Sequence, residues 1–275
     1  MQSVLSVVFL LGFSSFLLFL PLSPFFLNQN RSPRLASAPR AGSAFVPAST
    51  QALAFPPTIR RVIVNVGANR NPPTPRDSET AVIAVEPVLN TAKTIPPHPR
   101  VFVIVAAISN ASGFAPIFTY NEFGESSTLA SADGTGVYWS DPKYRETDYP
   151  PIAFVPVLTL EQLLRAVPLH ITIALLKTDM QGYDFMATSV CPLPQLRRVE
   201  QIFHEANCNG FAGMNPNAPR NDFDGQWVPF MEEKAGFLLT INECAMLGND
   251  REANALWTRD DLTSVPEPWW WENPS

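Results

Sequence analysis

Hydrophobic positions in this chain come in short, β-branched runs, each followed by polar or turn residues. Arg61–Val66 reads R-V-I-V-N-V and runs straight into Gly67, and Ala81–Val85 reads A-V-I-A-V and ends in Glu86. Runs of this kind, apolar on both faces and short for helices, predict buried parallel strands. Val101–Ala107 and Ile171–Lys177 repeat the pattern. Between them it loosens. Phe114–Tyr120 and Phe154–Val157 predict extended segments, and Asn121–Tyr149 is polar, with glycines at 124, 134 and 136. A stretch that long inside a domain reads as a binding lid. Thr159-Leu-Glu-Gln162 is a capping box that opens a helix to about Val167. Tyr183–Ser189 is predicted helical and Val199–Ala206 a strand with Glu205 near its end. Asp222 caps a predicted helix running to Lys234, interrupted at Pro229; Phe237–Cys244 and Glu252–Thr258 are a strand and an edge strand. Strand signals alternating with helix and turn signals predict an α/β fold.

The N-terminal pattern is different. Val4–Leu27 is almost wholly apolar but carries Pro21 and Pro24. Residues 1–27 therefore fit either a signal peptide or a membrane anchor. Residues 28–58 are rich in Ser, Ala, Pro and Arg and lack acid, as in a linker or a transit segment. The compartments implied are a membrane or the secretory pathway, with a plastid reached by bipartite targeting as the alternative. Residues 59–260 form the expected folded domain, and 261–275, with Trp269–Trp271, a tail.

Composition adds three points. Twenty-eight prolines among 275 residues is about twice average usage, which argues for many loops and few long helices. Net charge is −6, divided unevenly: residues 1–76 carry seven arginines and no acid, so the remainder carries −13. A folded part that acidic excludes a nucleic-acid partner. Cys191, Cys208 and Cys244 lack CxxC spacing, so no zinc site is indicated; buried free thiols are expected, with one disulfide as the alternative.

The chemistry concentrates at two strand ends. Gly67 follows the first strand, where the lack of a Cβ lets backbone approach a ligand closely. Glu86 closes the second strand about 20 residues later, the position at which α/β nucleotide binders hold a ribose hydroxyl. An ordinary α/β core with a solvated strand end fits the same pair of residues. Asp179 follows the Ile171–Lys177 strand and reads either as a site acid or as a helix cap. His204 is expected on the opposite face from Glu205, since strand neighbours alternate.

Six segments in order carry a family resemblance: V-N-V-G-A-N (Val64–Asn69), A-V-E-P (Ala84–Pro87), V-A-A-I-S-N-A-S-G (Val105–Gly113), S-S-T-L (Ser126–Leu129), V-P-V-L-T-L-E-Q-L-L (Val155–Leu164) and L-L-K-T-D-M-Q-G (Leu175–Gly182). Together they resemble FkbM-type S-adenosylmethionine-dependent methyltransferases, over nearly all of residues 61–245. The resemblance implies a Rossmann-like, doubly wound, seven-stranded sheet of the class I methyltransferase type, with S-adenosyl-L-methionine as cofactor and no metal. It implies O-methylation of a sugar, lipid or small metabolite. Gly67 and Ala68 would approach the methionine and ribose, Asn69 would hydrogen-bond nearby, Glu86 would take both ribose hydroxyls, and the turn at Ala106 and Ala107 would lie against adenine. Asp179 and Lys177 are the catalytic candidates, although Lys177 also reads as a strand-end side chain with its head in solvent. Two departures stand out. Asn65 replaces the family's aspartate, losing a charge that would attract the cofactor's ammonium. Asn71-Pro-Pro-Thr-Pro75 replaces the helix that follows the first strand. A methyltransferase-like protein that binds without catalysing, and a membrane-tethered assembly factor, are the alternatives.

Overall fold

The computed structural model describes residues 53–118, 127–129, 153–208, 219–247 and 252–263. The apolar N-terminal segment, most of the expected lid and the tryptophan-rich tail lie outside the described residues. Among the described residues no helix is long and apolar enough to cross a membrane.

A seven-stranded mixed sheet forms the centre of an α/β fold compatible with a Rossmann-like arrangement. Its strands are β1 (Arg61–Val66), β2 (Thr80–Val85), β3 (Val101–Ile104), β7 (Thr172–Thr178), β8 (Val199–Asn207), β9 (Phe237–Asn242) and β10 (Glu252–Arg259), in the order β3-β2-β1-β7-β8-β10-β9. The first five run parallel, and β10 is antiparallel to both β8 and β9. The predicted edge strand Glu252–Thr258 is thus interior, and β9 takes the edge. A second sheet, β4 (Ala107–Ser109), β5 (Gly113–Ile117) and β6 (Ala153–Thr159), is ordered β4-β6-β5. The predicted strand Val101–Ala107 is therefore two strands: the chain leaves the main sheet after Ile104 and enters the small one at Ala107.

Burial explains why the central runs read so clearly. Every residue of β2 is buried, as is every residue of β1 after Arg61. Val62, Val64 and Val66 join a core with Leu160, Leu163, Leu164, Phe223 and Trp227 on one face. Ile63, Val82, Ala84, Leu175, Phe203 and Leu256 form the core of the other. Each fully buried side chain of this size contributes about 1.5–3 kcal/mol over an exposed one, so the sheet is held from both sides.

Among the described residues helices are few and short. They are α1 (Leu89–Ala92), α2 (Leu160–Ala166), α3 (Asp184–Ser189), α4 (Leu193–Leu196) and α5 (Glu243–Leu247). Among the described residues no helix joins β1 to β2. The capping box forms as predicted: Thr159 Oγ1 accepts from the Gln162 amide at 3.2 Å and the Thr159 amide donates to Gln162 Oε1 at 2.9 Å. At its other end, Arg198 donates to the carbonyls of Leu164 and Val167, both at 2.7 Å, which satisfies carbonyls that α2 leaves free. The helix predicted after Asp222 forms and is continuous over residues 223–235, with π-helical turns Phe223–Trp227 and Pro229–Ala235 on either side of a helical Val228; Asp222 accepts from the Gly225 amide at its start, and Gly236 ends it at φ 71°. Proline at 229 has no N–H to donate, so one backbone bond is missing where the two turns meet, yet the interruption expected there does not occur.

Cys208 and Cys244 form a disulfide with their Cα atoms 5.3 Å apart, and Cys191 is free and buried. This corrects the expectation of free thiols. The two cysteines stand at the end of β8 and just after β9, strands separated by β10, a neighbourhood that spacing alone does not reveal.

Candidate functional site

The chain runs outward from β1 to β2 to β3 and then returns to β7 on the other side of β1. The carboxyl ends of β1 and β7 therefore flank the switch point at which open α/β sheets bind ligands. A cleft lies there. Gly67, Asn69, Glu86, Ala106, Ala107 and Asp179 line it, together with Ile117, Thr128, Met180, Gln181 and Tyr183. Its volume is about 90 Å³, room for part of a nucleoside rather than the whole, since small-molecule pockets begin at roughly 300 Å³. Six of the nine predicted site residues meet here. Asn65, Ala68 and Lys177 do not line the cleft: Asn65 is 1% exposed and pairs in register with Lys177 on β7.

Glu86 is 4% exposed, and both its oxygens are engaged. Oε2 accepts from the Asn69 amide and Oε1 from the Val88 amide, each at 2.9 Å. Asn69 reaches this position through a left-handed backbone, φ 50°. A carboxylate oxygen accepts two hydrogen bonds, so each oxygen keeps one site for a ligand donor. Burial pushes the Glu86 pKa up to about 7, opposed by the two amides and assisted by the charge of Asp179.

Gly67 has a structural reason to be glycine beside the predicted one. Its φ is +72°, and a Cβ there would collide with the backbone carbonyl of Asp179. The close approach is between the ends of β1 and β7, where the Asp179 amide donates to the Val66 carbonyl at 3.1 Å. The amides of Gly67 and Ala68 both donate to the Val85 carbonyl at 3.0 Å, so neither is directed at a ligand.

Asp179 does not cap α3. Tyr183 holds the cap position, without a side-chain bond. Instead Asp179 Oδ1 accepts from Gln181 Nε2 at 2.9 Å. Gln181, at φ 52°, is with Asn69 one of two non-glycine residues at positive φ among those described, and both line the cleft. Such backbone costs on the order of 1–3 kcal/mol and collects at functional sites. Beneath this loop, Asp184 is fully buried and accepts the Met180 amide on both oxygens, at 3.1 and 3.2 Å. Burial, then the charge of Asp179, raises its pKa to about 7. The sequence reading missed Asp184, Gln181 and Tyr183; Gly182, at φ 93°, was the visible sign of a tight loop.

Glu205 is half-buried on the face of β8 that also carries Phe203. Burial raises its pKa, helped by the charges of Asp179, Glu252 and Asp184 and opposed by Lys177. His204 points to the other face, as predicted. It stacks on Trp227 with ring centroids 3.5 Å apart, and its Nε2 accepts from Trp257 Nε1 at 2.8 Å. Among the described residues no group of three or more His, Cys, Asp or Glu side chains is placed to hold a metal ion.

No family model, curated protein or solved structure matches this chain. What fold and site define together is an α/β protein whose switch-point cleft carries a buried carboxylate on one lip and an aspartate on the other.

Proposed function

We propose that the cleft binds S-adenosyl-L-methionine and that the protein methylates an oxygen of a small-molecule or glycan acceptor. The observation that carries this reading is the meeting of Glu86, Gly67 and Asp179 at the β1/β7 switch point. The seven-stranded order with one reversed strand, β10, agrees with the class I methyltransferase type that the resemblance implies. The residues present fit the ribose of the nucleoside: Glu86 has one acceptor site left on each oxygen, enough for two neighbouring ribose hydroxyls, and Ala106 and Ala107 leave the adjoining wall free of bulk. When bound, the cofactor would supply a methyl group activated by its sulfonium. Asp179 is placed to take the proton of an acceptor hydroxyl, whose oxygen would gain the methyl as the S–CH3 bond breaks and the cofactor leaves as a neutral thioether; Gln181 donates to Asp179 Oδ1 and orients its carboxylate. Ile117 and Met180 keep water from the reacting atoms. Holding donor and acceptor in line supplies much of the acceleration.

The engaged amides of Gly67 and Ala68 favour a second reading, a methyltransferase-like protein that binds without catalysing. Calorimetric titration of the protein with S-adenosyl-L-methionine tests the first claim. The expected result is a Kd in the micromolar range, roughly −8 kcal/mol, weakened at least about tenfold by Glu86→Gln. Absence of binding up to millimolar cofactor overturns it. Asp179→Asn retains binding under both readings, but only under the first does it abolish methyl transfer to an acceptor.

A further inference from the structure

A groove separate from the cleft runs between α3–α4 and the helix Pro229–Ala235. Its walls are Phe185, Val190, Leu193, Pro229 and Phe230, with Lys234 at one end, and it encloses about 580 Å³. Val190 and Leu193 are 52% and 38% exposed, so the walls present apolar surface that has no use in water. Pro192 caps α4 on one side and Pro229 opens the helical turns on the other, and these short elements leave the space between them open.

The route of the chain indicates what fills it. After β10 the Asp260 amide donates to the Gly236 carbonyl at 3.1 Å, while Arg197 donates to Asp260 Oδ1 at 2.9 Å and to the Ala235 carbonyl at 3.1 Å. Arg197 directly follows α4, and Ala235 ends the helix that carries Lys234. The chain is thus pinned between the ends of the two elements that wall the groove. Residues 264–275, S-V-P-E-P-W-W-W-E-N-P-S, come next.

We propose that this segment docks in the groove of its own chain, with Trp269–Trp271 against the apolar walls. Trp269 stands six positions after Thr263, a span of up to about 20 Å; the helix Pro229–Ala235 is only about 10 Å long. The tryptophans therefore reach its far end. Charge agrees: Glu267 and Glu272 flank the tryptophans, and Lys234 offers them an ion pair and the indoles a cation–π contact. Pro266 and Pro268 restrict the backbone of the undocked chain as well, which lowers the entropy lost on docking. The groove wall residue Phe185 follows Asp184, the acid that clamps Met180 beneath the cleft, so the docked segment braces the loop carrying Asp179.

Hydrogen exchange on the full chain tests this. Amides of Trp269–Glu272 are expected to be protected in the wild type and to exchange at least about tenfold faster in Leu193→Glu, a change at an exposed position that leaves the fold intact by circular dichroism. Trp269→Ala/Trp270→Ala/Trp271→Ala should speed exchange across 185–193 and 226–234. Lys234→Glu should weaken protection, and Glu272→Lys should restore it in that background. Tail amides unprotected in the wild type, or unmoved by Leu193→Glu, overturn the proposal. Protection that falls on dilution overturns it too, since the segment would then sit in the groove of a second copy.

Discussion

The backbone carbonyl of Asp179 occupies the space that a β-carbon on Gly67 would need. The contact joins the ends of β1 and β7 beside the cleft that Glu86 and Asp179 line. Gly67→Ala must either open that junction or bend the chain, and it also places a side chain at φ +72°. The left-handed backbone alone costs about 1–2 kcal/mol, and the collision is with backbone, which cannot rotate away. Urea unfolding should show a loss of at least about 2 kcal/mol. A variant as stable as the wild type would mean that the two strand ends are not held together as described.

The buried acids dictate an unusual pH dependence. Burial raises Glu86 and Asp184 to about 7 each, and Glu205 is raised as well. The folded protein keeps these protons after the unfolded chain has released them, so stability falls as pH rises through the folded pKa values. His204 opposes this only at lower pH. Burial lowers its pKa to about 3 from an ordinary 6.5, so its contribution to stability grows as pH rises to about 6.5 and is then constant. Between pH 6.5 and 8 the acids act alone, and stability should drop by about 2 kcal/mol. Denaturant midpoints across that range measure the slope, and Glu86→Gln should flatten it. A level or rising profile would contradict the burial of these carboxyls.

How much of this could be read from the chain depended on distance. β1, β2 and β7 were legible because strands buried on both faces need near-continuous apolar runs, and β8, V-E-Q-I-F-H-E-A-N, because its apolar and polar residues alternate. The capping box at Thr159 and the helix running from Asp222 to about Lys234 were legible because their signals lie within a few residues. Glu86 stood out because an acid closing an apolar run is costly unless its oxygens are used. What failed was non-local. Val101–Ala107 is one apolar run but two strands, since a run shows burial and not which sheet provides it. Glu252–Thr258 looked like an edge strand, and only the order of the sheet places it inside. Gly67 was read as clearance for a ligand; that it also clears the Asp179 carbonyl, brought beside it by the β1–β7 pairing, could not be read from its neighbours. Asp184 gave no signal, since nothing in its neighbours marks an acid that folds back onto the Met180 amide.

The disulfide makes a separate prediction. Cys208–Cys244 closes a loop across a sequence separation of 36 residues, and a bridge of that span contributes about 3–4 kcal/mol through the unfolded chain. Cys208→Ser/Cys244→Ser should lose about that much in urea unfolding. Thiol titration of the denatured wild type without reductant should find Cys191 alone, and all three cysteines after reduction. Bridges of this kind persist in oxidising compartments, so a chain isolated from its source with three free thiols would argue against the secretory alternative for its N-terminal segment.

His204 shows how a conspicuous histidine beside a site can belong to the core. It lies next to Glu205 in sequence but on the other face of β8, between two tryptophans. Its Nε2 accepts from Trp257 Nε1, so its Nδ1 carries the proton and donates to the Glu205 carbonyl at 3.1 Å. Removing the ring leaves the buried Trp257 N–H without a partner and opens a cavity against Trp227, each costing on the order of 1–3 kcal/mol. His204→Ala should therefore lose about 3 kcal/mol or more in urea unfolding and change the near-ultraviolet dichroism of the tryptophans. Because its pKa is lowered to about 3, the ring should show no titration by NMR between pH 5 and 8. A ring that titrates in that range would place His204 in contact with water, and with it the possibility of a part in chemistry that its present burial denies.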